Sequence, residues 1–152
     1  MRMAKCSLAV LALLLPSTAW SQANFNIPPD WQHNQQNGMQ IFRAPGRNEG
    51  FSINPAPGMA SLGAPEKILE TILNQYREQY PELRILATCT VSPSMAMAFF
   101  QRSSAGALLG ERMMVGTGQG TATVTVLWAP AEIFAAEDLK ITGGNPACPP
   151  RR

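Results

Sequence analysis

Sulfur is the chemistry this chain offers most freely, with three cysteines and eight methionines among 152 residues. Cys89 and Cys148 stand 59 positions apart, so they lack the C-x-x-C spacing of a redox pair, and neither opens a helix that would lower a thiol pKa. They are expected to form a structural disulfide. Its task would be mechanical, since Gly143-Gly144-Asn145-Pro146-Ala147-Cys148-Pro149-Pro150 is too poor in large side chains to hold itself down by packing. Thioethers also bind Cu(I). Met95-Ala96-Met97 would place two of them on one strand face, and an adjacent strand could add Met113 from Met113-Met114. Phe99 continues that face, and methionine commonly fills irregular cores, so packing is the plainer reading.

The remaining candidates carry less. His33 is the only histidine and sits in an Asn/Gln-rich segment, so a catalytic triad or a zinc site would have to be built around it without partners in view. Gly116-Thr117-Gly118-Gln119-Gly120 has the texture of a phosphate loop, but Thr121–Val126 follows it and is strand sequence; a glycine-rich hairpin fits better. Glu66 and Glu70 lie one helical turn apart and Glu78 and Glu82 straddle Pro81, which marks both pairs as solvated faces. No enzyme, cofactor or resident metal is expected.

The elements that would position these residues are legible from periodicity. Asn24–Asn37 is an extended lead-in with Trp31 as its one large anchor. Gly38–Ala44 and Gly50–Asn54 alternate as strands around the turn Pro45-Gly46-Arg47-Asn48 and predict a hairpin. Pro65 suits the first position of a helix that runs to Tyr80 before Pro81. Ile68, Leu69, Ile72, Leu73, Tyr76 and Tyr80 form its apolar stripe. Arg84–Val91 and Ser94–Gln101 then alternate as strands, with Ser103–Gly110 read as a loop. Glu111–Val115 and Thr121–Ala129 follow as strands. Ala131–Leu139 closes as a short helix burying Ile133, Phe134 and Leu139, with Glu137 and Asp138 on its exposed side. Runs of consecutive strands predict an α+β fold: a mainly antiparallel sheet with one long helix and one short C-terminal helix packed on it.

Met1–Ala23 stands apart from this pattern. Arg2 and Lys5 precede the apolar run Cys6–Leu15, which is too short to span a bilayer, and Ser21-Gln22-Ala23 is a small-x-small cleavage pattern. The segment is expected to be a signal peptide, which makes the protein periplasmic or secreted. Cleavage after Ala23 leaves 129 residues with ten basic and ten acidic side chains, so the formal +2 of the whole chain disappears. A balanced surface without basic clusters argues against nucleic acid as a partner, and no membrane span remains. The expected organisation is therefore a signal peptide over 1–23 and a lead-in over 24–37. A single domain over 38–142 and a tethered tail over 143–152 complete it.

Pro29-Asp30-Trp31, the hairpin Gly38–Asn54, the long helix and the strand-then-helix close Val124–Leu139 together resemble the PsbP/Mog1-like family of small α/β sandwich domains. The resemblance runs from about Pro29 to Thr142 and rests on element order. Only Lys140–Thr142 is left for the family's usual closing strand. It implies a non-catalytic accessory or binding role and transfers no site residue.

The functional expectation is a module that binds an envelope or secreted protein through a sheet face, the Trp31 segment or the Ser103–Gly110 loop. The alternative is a binder of Cu(I) through methionines, or of a small apolar ligand between helix and sheet. Tyr76, Phe99, Phe100 and Trp128 could line such a ligand cavity, or could simply be core.

Overall fold

The computed structural model describes residues 25–150, so the segment read as a signal peptide lies outside the described residues. Three strands, β1 (Gln32–Gln36), β2 (Met39–Arg43) and β3 (Gly50–Pro55), open the fold as a meander. A 3-10 helix (Pro57–Leu62) and α1 (Pro65–Gln79) then carry the chain across the sheet. Four more strands return from the far edge: β4 (Arg84–Ser92), β5 (Met95–Ser104), β6 (Ala107–Gly118) and β7 (Thr121–Pro130). The chain ends on α2 (Phe134–Thr142) and the tail. All seven strands join one antiparallel sheet in the order β1-β2-β3-β7-β6-β5-β4, the α+β architecture expected.

Local chemistry sets this order. The turns at Asn37-Gly38, Ala105-Gly106 and Gln119-Gly120 each have positive φ at both central residues. That is the type I′ geometry, whose twist matches that of antiparallel strands. The 103–110 segment is accordingly not a loop, because β5 and β6 pair up to Ser104 and Ala107. Gln32–Gln36, expected within the extended lead-in, is likewise a hydrogen-bonded strand in continuous register with β2. Pro65 occupies the first turn of α1 with Glu66 beside it, and Tyr80 caps its end before Pro81.

Each sheet face has its own core. On one face, Ile68, Leu69, Ile72 and Leu73 of α1 pack on Ala96, Ala98, Phe100, Met113, Val115, Val124 and Val126. On the other, Phe51, Ile53 and Leu127 are covered by Ile141 of α2 and by Trp31, with Phe25, Ile27 and Phe42 at the margin. Cross-strand partners share a face, so the pair Met97–Met114 faces α2 whereas Met113 faces α1.

A charge organises the α2 face. Arg112 of β6 is 3% exposed, and its Nε and Nη2 donate to the two carboxylate oxygens of Asp138 at 2.7 Å each. Its Nη1 donates to the Pro146 carbonyl at 2.6 Å and lies 3.4 Å from Met97 Sδ. The guanidinium also sits 4.8 Å from the centre of the Phe99 ring. Asp138, expected on the solvated side of the last helix, is thus buried, and Ile133 and Leu139, expected inside, are 39% and 62% exposed. Once Asp138 faces Arg112, its neighbour Leu139 must point roughly 100° away around the helix. Helix α2 also starts at Phe134, with Ala131 left in a turn.

Cys89 and Cys148 are bonded to each other, with Cα atoms 5.7 Å apart. The tail is therefore fixed to β4 by the disulfide and to β6 by Arg112. The denatured, unreduced protein is expected to show no reactive thiol from this pair in a thiol titration. Closing a 59-position loop corresponds to about 4 kcal/mol of chain entropy, so reduction lowers unfolding stability by up to that amount. Removing one partner of the buried ion pair, as in Asp138→Ala, is expected to cost about 3–5 kcal/mol in urea unfolding. The double variant Arg112→Met/Asp138→Leu should lose less than the two single losses combined, because no orphaned charge remains.

Candidate binding site

Helix α1 leaves a cleft beside edge strand β4. Glu66, Leu69, Glu70, Leu73 and Arg77 recur at three- and four-residue steps, which puts them on the one side of α1 that looks toward β4. On the opposing wall, Thr88, Thr90 and Ala96 present short side chains beside Ile85, while Cys89, whose sulfur is bonded to the tail, alternates to the other face. Short residues facing long ones leave a gap of about 580 Å³, within the ~300–1,000 Å³ typical of ligand sites. Leu69, Leu73, Ile85 and Ala96 give it an apolar floor, with Glu66 and Glu70 on one part of the rim and Arg77 further along the helix. Thr90 Oγ1 donates to Glu66 Oε1 at 2.9 Å across the cleft mouth, and Arg77 Nη1 donates to Asn74 Oδ1 at 2.9 Å. The floor suits apolar side chains, and the carboxylates suit a cationic group.

A second cluster lies at the C-terminal end of α1. Tyr76 stands edge-on to Phe100, with centroids 5.8 Å apart and planes at 89°, and meets Tyr80 at 5.8 Å. The Arg102 guanidinium lies 4.7 Å from the centre of the Tyr80 ring, and its Nε donates to Glu111 Oε1 at 2.6 Å. Glu111 is 1% exposed, and its Oε2 is buried without a hydrogen-bond partner. Burial pushes the Glu111 carboxyl above its usual range, and Arg102 only partly offsets this through its charge and hydrogen bond. The Tyr76 phenol is raised too, first by burial and then by the nearby Glu111 charge.

The sequence candidates fall in several places. Tyr76, Phe100 and Trp128 meet in the α1-face core, where Phe100 is 1% exposed. They fill this region and do not line the cleft. Trp128 lies flat on Gly50, where an added Cβ would sit 2.0 Å from the indole. Phe99 points to the opposite face with Arg112, so the four aromatics do not share one cavity. Trp31 is 6% exposed and belongs to the α2-face core, which withdraws it as an open contact. His33 stacks on Phe42 at 4.3 Å with nearly parallel rings. For Cu(I), the Met95/Met97/Met113 grouping is not assembled, because Met113 is on the other face and the Arg112 cation lies against Met97.

Sequence reasoning missed the cleft and both buried ion pairs. Glu66 and Glu70 are legible only as a solvated face; the gap beside them depends on how far α1 stands from β4. A signal did exist for the ion pairs. Glu111-Arg112 stands amid apolar strand residues, and alternation must drive the two opposite charges into opposite faces.

No family model and no curated protein matches this chain. Among solved structures it is similar to PA94, a protein of unknown function from Pseudomonas aeruginosa, with a TM-score of 0.57 and 18% identity over 83% of this chain and 90% of that one. LpqN of Mycobacterium tuberculosis, described as involved in cell envelope biogenesis, gives a TM-score of 0.40 at 14% identity over 79% of each chain. The likeness to PA94 establishes a shared small α/β fold and no activity. That to LpqN carries no argument.

Glu111 gives this region a pH signature. Its folded pKa lies above the ordinary 4.5, so the folded state holds the proton more tightly and the associated stability is fully present below that pH. It is lost as pH rises through the folded value. The stability of the native protein relative to Glu111→Gln is expected to fall over this window, measured by urea unfolding at a series of pH values. A difference that is flat or rises with pH contradicts the assignment.

Proposed function

We propose that this chain is an exported, non-catalytic binding module that holds a segment of an envelope or secreted protein in the α1–β4 cleft. The observation that carries the reading is the cleft itself, with an apolar floor beneath a rim of separated charges. A segment placing apolar side chains over Leu69 and Leu73 and a Lys or Arg against Glu66 and Glu70 would match it. Export is supported by the charged start, short apolar run and small-x-small pattern of Met1–Ala23, and by a disulfide of the kind that persists in oxidising compartments. An accessory role like that of the PsbP/Mog1-like domains fits this account, on the strength of element order alone.

The dimensions of the cleft also favour a second reading, a small apolar ligand. The two separate in one experiment. A photocrosslinker at Thr88, on the cleft wall, is introduced in the native host, with Glu132 on the exposed turn before α2 as the control position. The expected result is one protein trapped at Thr88, absent at Glu132, and lost when Glu70→Arg and Arg77→Glu are combined. Identical products at both positions would defeat the cleft reading. A small molecule retained in native mass spectrometry, displaced by the same double variant, would replace the protein partner with a ligand.

A further inference from the structure

The two edges of the sheet are built differently. At one edge, β4 carries register breaks between Ile85 and Ala87 and between Thr90 and Ser92, and the tail is bolted to it through Cys89. Bulges and coverings of this kind blunt an edge against further pairing. At the other edge, β1 has none of them. Its five residues pair with β2 one for one, its side chains are all exposed, and it contains no Lys, Arg, Asp, Glu or Pro. Among the described residues, no other strand lies on its outer side.

β1 is nevertheless tightly specified. The Asn37-Gly38 turn, with φ of 51° and 79°, fixes its register on β2, although the strand buries almost nothing of its own. Its sequence is also self-complementary. Paired antiparallel with itself about Asn34, it sets Gln32 against Gln36, His33 against Gln35 and Asn34 against Asn34. Every opposed pair is amide with amide or amide with imidazole, and no like charges meet. Side-chain amides can donate and accept at once, so each such pair can be satisfied.

We propose that the outer edge of β1 is the pairing surface for a second copy of this chain, joined antiparallel about a two-fold axis at Asn34. The product is one continuous sheet of two seven-stranded halves, with an α1–β4 cleft at each far end. Five paired residues bury much less than the ~1,600 Å² of a standard interface, so the dimer is reversible and concentration-dependent.

The test uses the full processed chain with its native disulfide. Asn34→Cys places a thiol on the axis, where directly opposed Cα atoms stand about 4.5–5.5 Å apart, within disulfide reach. Gln36→Cys places its two copies four residues from each other along the strands, beyond that reach. Mild oxidation should give a covalent dimer of Asn34→Cys at least tenfold faster than of Gln36→Cys. Asn34→Lys should shift the monomer–dimer midpoint in sedimentation to higher concentration while leaving thermal unfolding unchanged, because the residue is exposed. Equal crosslinking at both positions, or a wild-type chain monomeric at millimolar concentration, would overturn the proposal. So would capture of a different protein at Asn34→Cys with no self-linked dimer, which would assign the edge to another partner. Failure here leaves the cleft reading untouched, since the two surfaces are at opposite edges.

Discussion

Arg112 puts a permanent charge inside the α2 face of the sheet, and the C-terminal part of the fold is shaped by the need to satisfy it. A lone buried cation would cost several kcal/mol, so it must find a counter-charge and further acceptors. Asp138 supplies both carboxylate oxygens, and the Pro146 carbonyl takes another of the guanidinium hydrogens. These partners come from α2 and from the tail, so satisfying one side chain fixes the rotation of a helix and the path of the segment after it. Thr142 extends the network by donating to the Asp138 carbonyl at 2.7 Å and accepting from the Gly144 amide at 3.0 Å. The disulfide then holds a tail whose course is already set. Its constraint acts on the unfolded chain, whereas Arg112 selects the folded arrangement.

The rest of the architecture follows from turns that leave little choice. Three type I′ hairpins make each meander a nearly local structure, and the one long excursion, through the 3-10 helix and α1, is bounded by Pro57, Pro65 and Pro81. α1 crosses the β5–β6 half of the sheet and lands the chain at the far edge, so the returning meander can close only when β7 reaches β3. Register there is set by burial. Phe51 against Leu127 puts large α2-face residues together while Ser52 against Val126 faces α1, and a one-residue slip would exchange the two faces.

Much of this was readable in advance because it rests on short-range pattern. The amphipathic stripe of α1, the β2–β3 hairpin, the opposite faces of Met97 and Ala98 and the Cys89–Cys148 pairing all follow from spacing and composition. The differences at β1 and Asp138 share one cause: polarity is a poor sign of exposure or of loop. Asn37-Gly38 is a strong hairpin signal, but its flanking Gln, His and Asn residues lack the apolar alternation of a half-buried strand. Asp138 looked like a surface residue of a short helix because its partner is 26 positions away. The cleft was illegible for a different reason: it arises from the distance between α1 and β4, which no periodicity encodes.

Coverage of the sheet now separates the two surfaces physically. α1 lies over β4, β5 and β6 on one face, while α2 and the Phe25–Trp31 segment cover β3, β6 and β7 on the other. β1 is held by its turn and its ladder with β2, and all five of its residues are exposed. The cleft, by contrast, lies beside α1 where the helix packs on Ala98, Met113 and Val126. An occupant of the proposed cleft site would meet the α1 wall, and the proposed second copy at β1 would extend a ladder that already pairs one for one with β2. Between them lie five strands of continuous antiparallel pairing. Assembly through β1 as proposed would present two clefts at opposite ends of one sheet, so a partner with two matching segments would gain strength by avidity without any change in either site.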